Sequence, residues 1–169
     1  MLDKNKIKYN GSGVEASMLC MDKFATGEAL KGLEKEGIYI AKKLVVNLKT
    51  LEKFNSSDFE ILWKKLHKDL VSKTIIVKPR GDGCSACIAR LFNAKDLEKY
   101  VGCAKRADKF IQHGSLTNQH GIIDMPTEKM EELLFEEFIE TDKVKAIKDK
   151  IKWQHKTGLI EVTIGVVGR

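Results

Sequence analysis

Lys78 closes a run of β-favouring residues, Thr74-Ile75-Ile76-Val77, and is followed at once by Pro79-Arg80-Gly81-Asp82-Gly83-Cys84-Ser85-Ala86-Cys87. A lysine at a strand end has its stem held by apolar neighbours and its ammonium aimed at an anion. Gly81 and Gly83 allow positive φ and close approach of backbone N–H groups, and Ser85 adds a hydroxyl donor. That combination suits a phosphate, although the stretch alone reads equally as a glycine-rich hairpin with a surface lysine. Neither G-x-x-x-x-G-K-[ST] nor G-x-G-x-x-G at a strand-to-helix turn occurs in the chain. Acids inside apolar runs are the second signal: Glu136 and Glu137 in Leu133–Ile139, and Glu161 in Leu159–Val167. A carboxylate there costs free energy unless it is paired or turned to solvent, so Glu136 or Glu137 reads as an edge residue or a ligand contact. Cys84-Ser-Ala-Cys87 raises the question of zinc. No second C-x-x-C or H-x-x-x-H follows and Cys87 opens an apolar segment, so the thiols read as free.

The elements that must position these groups follow from periodicity. A turn at Tyr9–Gly13 feeds a helix near Val14, with Met18, Met21, Ala25 and Leu30 at helical spacing, Lys23 on its surface and Gly37 as its stop. Ile38–Ala41 and Leu44–Val46 read as a broken strand. Ser57 and Glu60 have capping-box spacing, and Phe59, Leu62, Trp63, Leu66 and Leu70 form a core stripe behind them. Cys87–Phe92 returns as the partner of the Lys78 strand, and Asn93 caps a helix from about Ala94 to Ala107. Asp108 to Lys129 reads as a long loop, Leu133–Ile139 as a strand, Thr141 to Gly158 as a lysine-rich connection without a buried face, and Leu159–Val167 as a final buried strand. The sum is an α+β fold, an antiparallel β-sheet backed by helices.

Composition narrows the class. The chain has 169 residues, 43% of them hydrophobic and 32% charged, which is globular usage with room for a core. No apolar run approaches the ~20 residues of a membrane span, and the start is too polar for a secretory signal, so the expected location is cytoplasmic, without a membrane partner. A net charge of +6 suits an anionic ligand. Scattered lysines account for much of it, however, and aromatic residues are too dispersed for a base-stacking platform, which argues against nucleic acid.

Together the segments resemble the ATP-binding portion of D-alanine–D-alanine ligases, members of the ATP-grasp family, over nearly the whole chain. Tyr9-Asn10-Gly11-Ser12-Gly13-Val14 with Met21-Asp22-Lys23 resembles the family's Y-T-G-S-G-V and M-D-K segments, and Ile76-Val77-Lys78-Pro79 with Gly83 and Ser85 its I-V-K-P strand and phosphate loop. Leu134–Ile139 and Ile160–Val166 resemble its hinge strand and the strand that follows. The resemblance implies ATP as cofactor. Lys23 and Lys78 would contact its phosphates, with Lys78 also near the adenine edge, while Gly83, Cys84 and Ser85 would close over them. The backbone of Glu137 and Ile139 would bind adenine, Glu136 would accept from its amino group, and Glu161 would hold the ribose hydroxyls, with Glu140 a rival for that role.

Departures accompany the resemblance: Cys84 stands at the family's first loop serine and Cys87 at its closing glycine. Residues 1–169 are expected to form one ATP-grasp nucleotide-binding fragment, lacking the amino-terminal substrate domain and the carboxy-terminal metal-binding lobe. Mg2+, D-alanine and a homodimer therefore belong to the full-length enzyme, no catalytic or metal residue is assigned here, and the fragment alone is expected to be inactive. The alternatives are another ATP-grasp ligase with a different acid substrate, or a non-catalytic basic binding module on the same scaffold.

Overall fold

The computed structural model describes residues 3–81, 87–126 and 130–162. They form two compact units: Val14–Phe138, and the two chain ends, 1–13 with 139–169.

In the larger unit, α1 (Val14–Met21) stops at Asp22, whose carboxylate caps α2 (Lys23–Leu30) by accepting from the N–H groups of Phe24 and Ala25. The single helix expected from Val14 to Gly37 is thus two helices and a 3-10 segment (Lys31–Glu36), ended by Gly37 at φ 82°. The cap wins because a short acceptor at Asp22 satisfies orphan amides of a new helix. No residue of α1 is buried, so its apolar spacing marks no core face.

β1 (Lys43–Asn47) is the only strand part of the expected 38–46 segment. A one-turn helix α3 (Leu48–Leu51) follows, then α4 (Ser56–Leu70). The capping box of α4 is built from Asn55 and Asp58, not Ser57 and Glu60. Asn55 accepts from the Ser57 and Asp58 N–H groups, and Asp58 accepts from the Asn55 N–H. Next come β2 (Ile75–Pro79), β3 (Ala89–Leu91) and α5 (Ala94–Arg106), capped by Asn93 as expected. The stretch expected as a loop holds a small ladder, β4 (Phe110–Ile111) with β5 (Ile123–Asp124), and β6 (Glu132–Glu137) closes the unit.

The main sheet runs β1-β6-β2-β3, every pair antiparallel, so β6 is interior and neither Glu136 nor Glu137 is an edge residue. Along β2, Ile75, Val77 and Pro79 are buried while Ile76 and Lys78 are half-buried, the alternation of a strand with one face on the core. That core is filled by Leu51, Phe59, Leu66 and Leu70 from the α3–α4 region, Leu97, Tyr100 and Val101 from α5, and Leu133 and Phe135 from β6. Helices α3, α4 and α5 back this face, and the opposite face carries Lys43, Lys78 and Glu136, with α2 beside them.

In the smaller unit, the lysine-rich connection is a hairpin of β7 (Lys143–Ile147) and β8 (Lys150–Gln154), exposed along both strands. Asp142 organises its base. Its carboxylate accepts from the Trp153 indole, the N–H groups of Lys156, Thr157 and Gly158, and the Thr157 hydroxyl. Burial pushes its pKa up, but these donors outweigh burial and hold it well below the usual carboxylate range. Residues 159–162 form no strand and are exposed, which corrects the expected buried strand over its described part. Residues 163–167 of that expectation lie outside the described residues.

Candidate functional site

The charged face of the main sheet sets side chains together by register alone. Lys43 on β1, Glu136 on β6 and Ile76 on β2 stand in one row, and Lys78 stands one row along, opposite Leu134. Directly opposed and diagonal neighbours on one face lie within reach of long side chains. Lys78 Nζ accordingly makes an ion pair with Glu136 Oε2, while Lys43 Nζ lies 3.5 Å from Glu136 Oε1. All three side chains are mostly shielded from solvent, at 17%, 18% and 14% exposure for Lys43, Lys78 and Glu136.

Lys23 reaches the same neighbourhood from α2. Its N–H donates to the Arg80 carbonyl at 3.2 Å, its Nζ donates to the Pro79 carbonyl at 3.4 Å, and its own carbonyl accepts from Lys43 Nζ at 3.2 Å. Two ammonium groups, those of Lys43 and Lys78, therefore hold the Glu136 carboxylate, and the Lys23 backbone ties Lys43 to the end of β2. An excess of cation held by backbone acceptors is what a polyphosphate requires.

The frame that keeps α2 there is an ionic staple. The Arg80 guanidinium donates to both Asp22 oxygens, at 3.0, 3.0 and 2.6 Å, and to Glu132 Oε2 at 2.8 Å, and it lies 5.6 Å from the centre of the Phe24 ring. This hydrogen bonding holds the Asp22 carboxyl down at about 2 and raises Arg80 above its usual value. A cleft of about 630 Å³ opens beside the staple, lined by Ser17, Met18, Met21, Asp22, Pro79, Arg80, Gly81 and Met130 to Glu132. It adjoins the lysine cluster without including Lys78 or Glu136 in its walls.

Of the residues expected at the site, Lys23, Lys78 and Glu136 come together. Glu137 lies next to them in β6, with its N–H donating to the Lys42 carbonyl at 3.1 Å and its carboxylate accepting from the Lys42 N–H at 2.9 Å. Ile139 and Glu161 belong to the smaller unit, as does Glu140, which pairs with Lys156. Gly83, Cys84 and Ser85 lie outside the described residues. Cys87, the other member of the C-x-x-C, is buried, and among the described residues no group of three His, Cys, Asp or Glu side chains is arranged to hold a metal ion.

Sequence reasoning missed Lys43, Arg80, Asp22 as a cap, and Glu132. Leu44, Val45 and Val46 are all apolar, so no alternation marks the face of Lys43, and assigning it required the β1–β6 register.

No protein-family model matches the chain, and no curated protein sequence matches it. Solved structures do. The D-alanine-D-alanine ligase from Coxiella burnetii matches with a TM-score of 0.54 at 17% identity, over 85% of this chain and 33% of that one. The Bacillus anthracis D-alanine--D-alanine ligase gives 0.52 at 20% identity, over 85% and 35%. D-alanyl-alanine synthetase A from Vibrio cholerae gives 0.55 at 15% identity, over 90% and 37%. The chain has an ATP-grasp fold, with its antiparallel sheet backed by helices. In fold it is similar to part of the D-alanine–D-alanine ligases, of whose length it spans about a third. Among the described residues no helix is long and apolar enough to cross a membrane.

Proposed function

We propose that the chain is the nucleotide-binding portion of an ATP-dependent carboxylate–amine ligase of the D-alanine–D-alanine ligase type. The observation that carries this reading is the pairing of Lys43 and Lys78 with Glu136, with Lys23 tied alongside through the Pro79 and Arg80 carbonyls, on the charged face of an ATP-grasp sheet. In the reading, Lys23 and Lys78 hold phosphate oxygens of ATP, and Gly83, Cys84 and Ser85 approach them from the loop. Glu136 and the backbone of Glu137 and Ile139 meet the adenine, and Glu161 meets the ribose. A flat base between apolar residues, with a carboxylate at its amino group, is the ordinary chemistry of such a site.

The reaction is that of the whole enzyme. The γ-phosphoryl group passes from ATP to the carboxylate of a first amino acid, D-alanine in this reading, and ADP leaves. The amine of a second then attacks the acyl phosphate carbon, phosphate departs, and a peptide bond remains. This chain supplies nucleotide grip and charge compensation.

Because the chain spans about a third of the comparable ligases, ATP bound to it meets few walls, and a Kd on the order of millimolar is expected. Titration of the 169-residue chain with ATP, followed by amide shifts, should perturb Lys23, Lys78 and Glu136, and Lys78→Met should abolish the perturbation. Unmoved shifts at 10-fold excess over ~1 mM would overturn the reading. The rival, a basic binding module, draws on the exposed hairpin, where Lys145 stands opposite Lys152. It would show steeply salt-dependent binding of nucleic acid that Lys78→Met leaves unchanged.

A further inference from the structure

Two lysines on one mostly buried carboxylate are more cation than the carboxylate needs, since one ammonium already neutralises Glu136 and the second repels the first. Lys43 is nonetheless held in place. It stands directly opposite Glu136 in the β1–β6 ladder, takes Oε1 while Lys78 takes Oε2, and donates to the Lys23 carbonyl at 3.2 Å. A Cβ built on Gly27 would come within 3.3 Å of Lys43 Nζ, so the absence of a side chain at that position of α2 makes room for the ammonium.

We propose that Lys43 is a positioning residue that takes over Glu136 when Lys78 turns to a phosphate of the bound nucleotide. The inference rests on the nucleotide reading above. A carboxylate only 14% exposed is costly to leave without a counter-ion, and binding that removes Lys78 from Glu136 would incur that cost. Lys43 removes it without any main-chain movement, because the sheet register already sets it against the oxygen that Lys78 does not use. Lys43 acts in this scheme through Glu136 and touches no phosphate.

That distinction gives the test. ATP affinity is measured by shift titration on the 169-residue chain and on Lys43→Met, Glu136→Gln and the double variant, with thermal midpoints alongside. Lys43→Met should weaken ATP binding about tenfold. In the Glu136→Gln background the same change should matter less than about twofold, because no carboxylate charge is left to compensate. Lys43→Gln, which retains a donor for the Lys23 carbonyl, replaces Lys43→Met in the cycle should the latter fail to fold. An equal loss in both backgrounds, or ATP affinity unchanged in Lys43→Met, overturns the handover while leaving the nucleotide reading intact. No ATP binding by the unmodified chain overturns both.

Discussion

Asp22 shows how one side chain can decide both where a helix starts and where it points. One oxygen caps α2, and both accept from Arg80 at the end of β2, so the segment that presents Lys23 is tied to the strand that presents Lys78. Asp22→Asn keeps a good cap but removes the charge from the staple, isolating the second role. With its folded-state pKa near 2 against an ordinary 3.8, the carboxyl contributes stability that is fully present above about pH 4 and is lost as pH falls towards 2. The variant should be destabilised by about 1 kcal/mol at pH 7, discounted for partial solvent screening. Urea unfolding at both pH values checks this, since the gap between the two proteins must close at pH 2. Tyr100 makes a second residue-scale case. Its hydroxyl donates to the Cys87 carbonyl at 2.6 Å inside the core, and burial drives its pKa far above the usual tyrosine value. Tyr100→Phe removes that donor and should cost about 1–2 kcal/mol, read as a shift in urea midpoint with unchanged m-value.

At the scale of elements, the start of α4 separates two readings of the same residues. Ser57 and Glu60 carry the right spacing for a capping box, but Asn55 and Asp58 carry it too, two residues earlier. The earlier pair wins because Asn55 sits in extended backbone at φ −95°, ψ 177°, where its side chain can turn back onto the N–H groups of Ser57 and Asp58. Asn55→Ala should therefore cost about 1 kcal/mol and Ser57→Ala close to nothing. Equal effects in thermal unfolding would restore the later start. The same contrast explains how far the fold was legible. The β2–β3 pairing, the α4 stripe, α5 with its Asn93 cap and the existence of strand β6 all follow from local period and punctuation, whereas the interior place of β6 comes from the sheet order. What did not follow depended on partners distant in sequence. The staple that ties Asp22 to Arg80 spans 58 residues, and the ordered turn at Thr117 is held by the buried Asp96, which accepts from its N–H and hydroxyl. Lys78 and Glu136 were visible as chemistry, but their meeting, and the presence of Lys43 beside them, came from sheet register, which no single segment encodes.

Over the whole molecule, the two compact units obtain their order from different sources, and this can be separated experimentally. Among the described residues every buried member of the hydrophobic core falls between Leu48 and Phe135, inside the larger unit, so burial stabilises that unit. The described part of the smaller unit contributes no residue to that core, and its order depends on the hydrogen bonds converging on Asp142. Each unit also carries one of the two tryptophans: Trp63 on α4, half-buried against the core, and Trp153 on β8, with its indole donating to Asp142 at 2.9 Å. A carboxylate with this many donors cannot be replaced by a methyl group without leaving several backbone N–H groups to find water, and an isolated two-stranded hairpin is marginal even before that loss. In Asp142→Ala carrying Trp63→Phe, the Trp153 emission should already be at its unfolded wavelength without denaturant. In Asp142→Ala carrying Trp153→Phe, the Trp63 transition should keep its midpoint to within about 0.5 kcal/mol, as expected for sites sharing no partners. A Trp63 transition that moves together with the hairpin would mean that the core's cooperativity extends into the residues after Phe138, and that the hydrogen bonds of Asp142 support the lysine cluster as well as their own unit.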